Sequence, residues 1–278
     1  MGSNFNEIAL QKSTSGIQTL KGKCVVVTGS TSGIGLGIAT EFAKAGCRIM
    51  LHGLEPESQV LSLIQEIASI SNDKVAYSGA NIGDPEQCKA LIDLANKELG
   101  KVDILVNNAG VQFTSPVQDF PAEKWRWLLD VNLNAPFYLT QAVIPQMYER
   151  KWGRIIHIAS THGKVASKNK SAYCVSKHGL LGFSKVVALE AAGTGVTSNC
   201  ICPGWVLTPL VQQQVERISE EKGISYEAAK LQLLLEKQPS GEFVKPEDLG
   251  AFAVFLGSDA ASQITGAALS MDGGWTTV

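Results

Sequence analysis

Charge of one sign is what this sequence has least of. Twenty-four Lys and Arg stand against 26 Asp and Glu, a net charge of −2 with the four His neutral. So even a balance leaves no electrostatic footprint for a nucleic acid or an anionic membrane, and neither is expected as a partner. No apolar run approaches the roughly 18 residues of a spanning helix. Cysteine is scarce as well: Cys24, Cys47, Cys88, Cys174, Cys200 and Cys202, most of them alone in apolar stretches. They read as small buried hydrophobes of a reducing, cytoplasmic compartment rather than a disulfide framework. Cys200-Ile-Cys202 has the spacing of neither a zinc knuckle nor a redox C-x-x-C, so no metal site is expected. In residues 1–20 Lys12 is the only base and no apolar signal segment follows, so they read as a disordered tail or a cloning remnant. No Pro-, Gly- or Ser-rich linker divides the rest, and 21–278 reads as one domain.

What is present is a hydrophobic content of 45% against 18% charged residues, which excludes global disorder. From Lys21 short β-branched runs alternate with helical patterns. The strand candidates are Cys24–Thr28, Arg48–His52, Val75–Ser78, Ile104–Asn107, Arg154–Ser160, Thr197–Ile201 and Ala267–Met271. The helical stretches are Ile34–Ala45, Pro56–Ile70, Pro85–Leu99, Ala122–Arg150, Ala172–Ala191 and Pro246–Leu256. This alternation predicts an α/β fold, a doubly wound parallel sheet with helices on both faces. An insertion, 204–245, carries two further helical patterns, Leu210–Lys222 and Ser225–Lys237. It follows a strand's carboxyl end, where open α/β sheets bind ligands, so a substrate lid is favoured over a subunit contact.

Thr28-Gly29-Ser30-Thr31-Ser32-Gly33-Ile34-Gly35 joins the first strand to the first helix. Glycines there let the backbone approach a pyrophosphate, and the helix start supplies free N–H groups. The second strand ends in His52-Gly53-Leu54-Glu55, with no Arg to meet a 2′-phosphate. Apolar Leu54 cannot pair with that dianion, so NAD is favoured over NADP. His52 reads as a strand-end residue rather than a ligand. Asn81-Ile82 could hold adenine, and Asn108-Ala109-Gly110 a ribose, although both pairs also suit turns. Tyr173 and Lys177 are spaced i, i+4, one face of a helix, where an ammonium favours the phenolate. Ser160 closes the fifth strand. Around them stand Gln112, His162, Lys170 and Gln214, donors for a small carboxylate, with Trp205 and Trp275 as walls. Each has a plainer role open to it: Lys170 as a solvated charge, His162 as a neutral partner of a carbonyl, Trp275 as an interface anchor.

Taken in order, Thr28–Gly35, Asn107–Gly110, Ser160, Tyr173, Lys177 and Pro203-Gly204 resemble the short-chain dehydrogenase/reductase pattern over residues 21–278. The resemblance implies a Rossmann-like seven-stranded sheet, a nicotinamide cofactor and a homotetramer. It implies Tyr173 as acid/base, Ser160 polarising the substrate oxygen, and Lys177 bonding the nicotinamide ribose. It also implies Asn132 as holder of a relay water, and Val206 and Thr208, after Pro203 and Gly204, as carboxamide contacts. A branch of the family that interconverts (R)-3-hydroxybutyrate and acetoacetate with NAD is resembled more closely. There the counterparts of Gln112, His162, Lys170 and Gln214 hold the carboxylate. His157, where Asn is usual, and Lys164, where an apolar residue is expected, depart from the pattern. The rival readings are a reductase of 3-oxoacyl thioesters or other carbonyls, and a non-catalytic dinucleotide sensor.

Overall fold

A strand covered on both faces is apolar at nearly every position, and alternation sends successive side chains to opposite sides. The computed structural model, which describes residues 20–277, shows this sorting. Val25 and Val27 of β1 (Cys24–Val27) join one core, and Cys24 and Val26 the other. The remaining strands are β2 (Arg48–His52), β3 (Val75–Ser78), β4 (Ile104–Asn107), β5 (Gly153–Ile158), β6 (Val196–Pro203) and β7 (Ala268–Met271). All seven pair in parallel in the order β3-β2-β1-β4-β5-β6-β7. The order reverses between β1 and β4, which opens a crevice at their carboxyl ends.

On one face lie α1 (Gly33–Lys44), α2 (Glu57–Ser71) and α9 (Pro246–Gly257), through Ile38, Phe42, Ile67, Leu249 and Leu256. On the other lie α3 (Pro85–Leu99), α5 (Ala135–Glu149) and α6 (Ser171–Glu190), through Leu91, Leu139, Val143 and Val187. The local signals are legible: α3 starts at Asp84, whose carboxylate accepts from Glu86 N at 3.0 Å, has Pro85 in its first turn, and stops at Gly100 with φ 87°.

Three expectations need correction. The helix read as continuous over Ala122–Arg150 is α4 (Ala122–Leu129), a π-helical turn (Asp130–Asn134) and then α5. Pro136 lacks the N–H that an unbroken α-helix would return to residue 132, which favours the wider turn there. The fifth strand ends at Ile158, so Ser160 lies beyond it and caps the 3₁₀ turn Thr161–Gly163. Leu20, assigned to the tail, is buried in the core; the rest of that tail lies outside the described residues. All six cysteines are free. Among the described residues no helix is long and apolar enough to cross a membrane.

Where α1 crosses α9, side chains are absent by necessity. A Cβ on Gly250 would stand 2.7 Å from Gly37 O, and one on Gly37 2.7 Å from the Pro246 carbonyl carbon. Gly250→Ala is expected to lower stability by about 1–3 kcal/mol, seen as a lower urea midpoint. An unchanged midpoint would mean that the helices part there at no cost.

Candidate active site

The crevice is built first from backbone. Thr28 Oγ1 accepts from the amides of Asn108 and Ala109, both at 3.0 Å, and Asn108 Nδ2 donates to Thr28 O at 2.8 Å and Gly29 O at 3.0 Å. Gly29, at φ 61°, faces Ala109, whose Cα is 3.0 Å from where a Cβ would lie; a Cβ on Gly35 would fall 2.0 Å from Gly29 O. The Ser32 side chain makes no capping bond, so the first N–H groups of α1 remain available. This glycine cradle under an uncapped helix start suits a phosphate-bearing dinucleotide. His52 is structural, as expected: its Nδ1 accepts from Gly29 N at 3.0 Å. Nε2 therefore carries the proton that it gives to Ala80 O, 2.8 Å away.

Beside this cradle the sequence reading missed a group. Thr31 Oγ1 donates to Glu55 Oε1 at 3.2 Å, and a Cβ on Gly53 would lie 2.2 Å from Glu55 Oε2. The carboxylate thus folds back over Gly53 at the end of β2. Spacing pointed elsewhere because Glu55 lies three residues past the strand. Exposed Leu54 and Asn81 line a cavity of about 560 Å³ together with Gly83, Arg126 and Trp127. Ile82 is instead packed in the core.

At the other end of the crevice, Lys177 is buried and its Nζ donates to Ile158 O at 2.7 Å, 5.7 Å from the Tyr173 ring centre. Burial lowers the ammonium to about 8. Burial also pushes the Tyr173 phenol above its ordinary value, the neighbouring Ser160 hydroxyl pulling the other way. The expectation of a depressed phenol is therefore corrected in direction: in the protein alone desolvation is the largest cause and raises it. Asn132, buried in the π turn, accepts from Val111 N at 2.8 Å and donates to Val111 O at 2.9 Å. A Cβ on Gly110 would meet Asn132 Oδ1 at 3.5 Å and Lys177 Nζ at 3.7 Å, so both atoms face that glycine.

His162, Trp205 and Trp275 close around Ser160 and Tyr173. The His162 ring stands edge-on to Tyr173 and Trp275, centroids 5.7 and 5.4 Å away, and Trp275 lies 6.1 Å from Trp205. Lys170 Nζ sits 5.9 Å over the Trp205 ring. Burial and then the Lys170 charge drive His162 down to about 4, so it enters as a neutral ring, its Nε2 bonded to Ser167 Oγ at 2.9 Å. Lys170 is lowered by burial, and by the charge of Lys237, a residue the sequence reading passed over. Among the described residues neither lysine has an ion-pair partner. Trp205 Nε1 is buried with no acceptor there. Gln112 is exposed after β4 and Gln214 half-buried on α7 (Pro209–Lys222); no contact ties either to the cluster among the described residues.

The short chain dehydrogenase family model matches residues 23–219. The chain belongs to this family. The D-beta-hydroxybutyrate dehydrogenase of Cupriavidus necator is 51% identical to it over 257 residues, 92% of this chain and 98% of that protein. The enzyme of the same name from Rhizobium meliloti is 45% identical over 254 residues, 91% of this chain and 98% of that protein. Among solved structures, L-sorbose reductase of Gluconobacter frateurii, complexed with NADPH and L-sorbose, superposes with a TM-score of 0.88 at 31% identity. That match covers 93% of this chain and 98% of the reductase. This dehydrogenase is accordingly an oxidoreductase on a dinucleotide-binding fold.

In this short-chain dehydrogenase the insertion after β6 is stitched at its base. Val206 and Val244 form a parallel bridge, with Leu207 N to Val244 O at 3.1 Å and Val244 N to Trp205 O at 2.9 Å. Gln238, fully buried and also overlooked, accepts from Trp205 N at 2.7 Å and donates to Glu242 O. A Cβ on Gly204 would lie 2.3 Å from Gln238 Oε1, so the chain leaving Pro203 must be bare there. Beyond the stem, α7 and α8 (Tyr226–Leu235) share a small core of Val215, Ala229, Leu233 and Leu234. Thr208 caps α7 through Val211 N at 3.4 Å, and its methyl would meet a Cβ on Gly33 at 3.5 Å.

His157 is buried between neighbouring strands: its Nδ1 meets Asn107 Nδ2 at 3.1 Å and its Nε2 Ser198 Oγ at 3.4 Å. Burial holds it at about 3. His157 and His162 are both neutral in the fold and basic when unfolded, so the unfolded chain binds more protons in acid. Stability present above pH 6.5 is then lost as pH falls from 6.5 toward 4, by about 1.4 kcal/mol per pH unit for each ring. Urea midpoints at pH 7 and 5 should differ less in His157→Asn than in the parent. An equal difference would remove His157 from this balance.

Proposed function

We propose that this dehydrogenase oxidises (R)-3-hydroxybutyrate to acetoacetate with NAD, and catalyses the reverse reduction. The observation that carries the reading is the cluster of His162, Trp205 and Trp275, with Lys170 over the Trp205 indole and no carboxylate paired to it among the described residues, the charge of Lys237 acting on the same ammonium. A surplus of positive charge in a partly dry, aromatic-walled space suits one short carboxylate. The names of the 51% and 45% identical relatives point to the same substrate. In this reading Lys170 and His162 bind the carboxylate, Gln112 and Gln214 complete the donor set, and the two indoles limit chain length.

Glu55 supports NAD over NADP. A carboxylate held at the Gly-rich turn repels a 2′-phosphate, whereas a 2′-hydroxyl can donate to it. Gly29, Thr31, Ser32, Gly33, Ile34 and Gly35 would receive the pyrophosphate. Leu54, Asn81 and the Ile82 backbone would receive the adenosine, and Asn108, Ala109, Gly110 and Lys177 the second ribose. Pro203, Gly204, Val206 and Thr208 would border the nicotinamide. When bound, that group exchanges a hydride with the substrate carbon. Tyr173 takes the hydroxyl proton in oxidation and returns it in reduction. A phenol held at or above its ordinary value is already loaded for the reductive direction. Ser160 bonds the same oxygen and Lys177, charged at neutral pH with a value about 8, favours the phenolate. Asn132, its amide spent on Val111, keeps one lone pair of Oδ1 for a relay water.

The stitched stem leaves α7 and α8 as the part of segment 204–245 that would cover the substrate. Exposed Trp127, Phe137, Val175, Val186 and Leu189 on α4, α5 and α6 would supply the apolar contact of a homotetramer. The six free thiols suit a cytoplasmic setting.

Growth of NADH absorbance is expected with (R)-3-hydroxybutyrate and NAD, and little with NADP. Silence with both cofactors would favour a dinucleotide sensor, and turnover of 3-oxoacyl thioesters alone the rival reductase. Tyr173→Phe should keep NADH binding and lose turnover by about 10²–10⁴. Lys170→Ala should weaken reduction of acetoacetate by about 10–100-fold and leave its ethyl ester nearly unaffected. Equal losses on acid and ester would remove Lys170 from the carboxylate.

A further inference from the structure

The turn that carries Trp275 has no strand or helix to hold it. It is a 3₁₀ turn, Trp275–Thr277, following Gly273 and Gly274 at φ 54° and 93°. Ser240 N donates to Gly273 O at 3.0 Å on one side of it, and on the other its order comes from Asp272, whose carboxylate accepts from Gly274 N at 3.1 Å, Thr276 N at 3.1 Å and Thr276 Oγ1 at 2.5 Å. From there the bonding continues outward. Thr276 Oγ1 and Ser270 Oγ are 3.2 Å apart, Lys164 Nζ donates to Ser270 Oγ at 2.9 Å, and it also donates to Ala268 O at 2.8 Å. Lys164 itself closes the turn Thr161–Gly163, its N–H bonded to Thr161 O at 2.8 Å. A Cβ on Gly163 would lie 3.0 Å from Lys177 O, so that turn is pressed onto α6. An ammonium and a carboxylate are thus joined through two hydroxyls, from the loop of Ser160 and His162 to the turn of Trp275. The apolar residue expected at position 164 could donate neither of the two side-chain bonds.

We propose that Lys164 is a positioning residue: through Ser270, Thr276 and Asp272 it holds the Trp275 wall against His162 and so sets the chain length that the substrate pocket admits. The length limit rests on the 3-hydroxy acid reading above; the placement of Trp275 does not. Lys164 and Asp272 are close enough to Cys202 to act on its thiol in opposite senses, which agrees with both charges flanking one short path. Hydrogen bonds made by charged groups are worth more than neutral ones, so removing Lys164 releases the turn rather than merely unpairing it.

The test uses the full chain, with Lys164→Met, which keeps the stem and loses the donors, Lys164→Arg, which keeps donors and charge, and Thr276→Val, which cuts the path in the middle. Amide exchange across residues 270–277 of the ligand-free protein is expected to quicken about tenfold in Lys164→Met and Thr276→Val. It should stay near the parent value in Lys164→Arg. The kcat/KM preference for 3-hydroxybutyrate over 3-hydroxyhexanoate should fall by about fivefold to tenfold in the first two, through KM with kcat nearly kept. Unchanged exchange in both variants would overturn the proposal, as would Lys164→Arg behaving like Lys164→Met. Faster exchange with an unchanged length preference would overturn the selectivity half. If the parent oxidises no 3-hydroxy acid, the substrate reading and the length limit fall together, and exchange still decides the placement of Trp275.

Discussion

The stitch between β1 and β4 is the constraint from which the site follows. Thr28 gathers two amides of the opposite strand end, and Asn108 returns two bonds to the carbonyls of Thr28 and Gly29. Strands at the point of reversal have helices leaving to opposite faces, so no crossover covers the gap between them. Without side-chain bonds across it, the two ends would be free to splay. With them, Gly29 lies against Ala109 and the uncapped start of α1 opens on a fixed space. Asn108 also begins the loop that runs to Gly110 and so to the faces of Asn132 and Lys177. Both ends of the crevice are thereby referred to one frame.

Burial, more than proximity of charge, governs the electrostatics at the catalytic edge. It lowers His162, Lys170 and Lys177 and raises Tyr173, always toward the neutral form. A site in this condition gains by receiving an anion: the ligand's charge compensates lysines that the protein leaves without carboxylates. The Trp205 indole N–H, buried without an acceptor, is part of the same deficit.

Sequence periodicity sufficed for the seven strands and the helices around them, because parallel strands buried on two faces have a composition that little else requires. It failed at Ala122–Arg150, since a π turn preserves the apolar repeat on either side while adding a residue to the turn. Ser160, Tyr173 and Lys177, which spacing singled out, come to one edge because the first follows the end of β5 and the other two lie in the first turns of α6. Glu55, Lys237 and Gln238 were not singled out. Glu55 folds back onto the Gly-rich turn and Gln238 into the stem of the insertion, and these loop residues, like Lys237, have no periodic relation to the groups they act on. The phenol's direction of shift was missed for another reason: spacing predicts that a cation is near, but not how much water has left.

The bridge between Val206 and Val244 has a consequence for the evolution of the molecule. Because the two ends of the helical pair are joined at their base, the entropy of closing that excursion is settled before its length matters, and added residues at its tip raise the cost only logarithmically. Gly223, at φ 62° with open space around it, marks such a tip. Descendants of this chain can therefore lengthen or recompose the cover while inheriting the reaction edge intact, so that new substrates become accessible by changing a cassette rather than an enzyme.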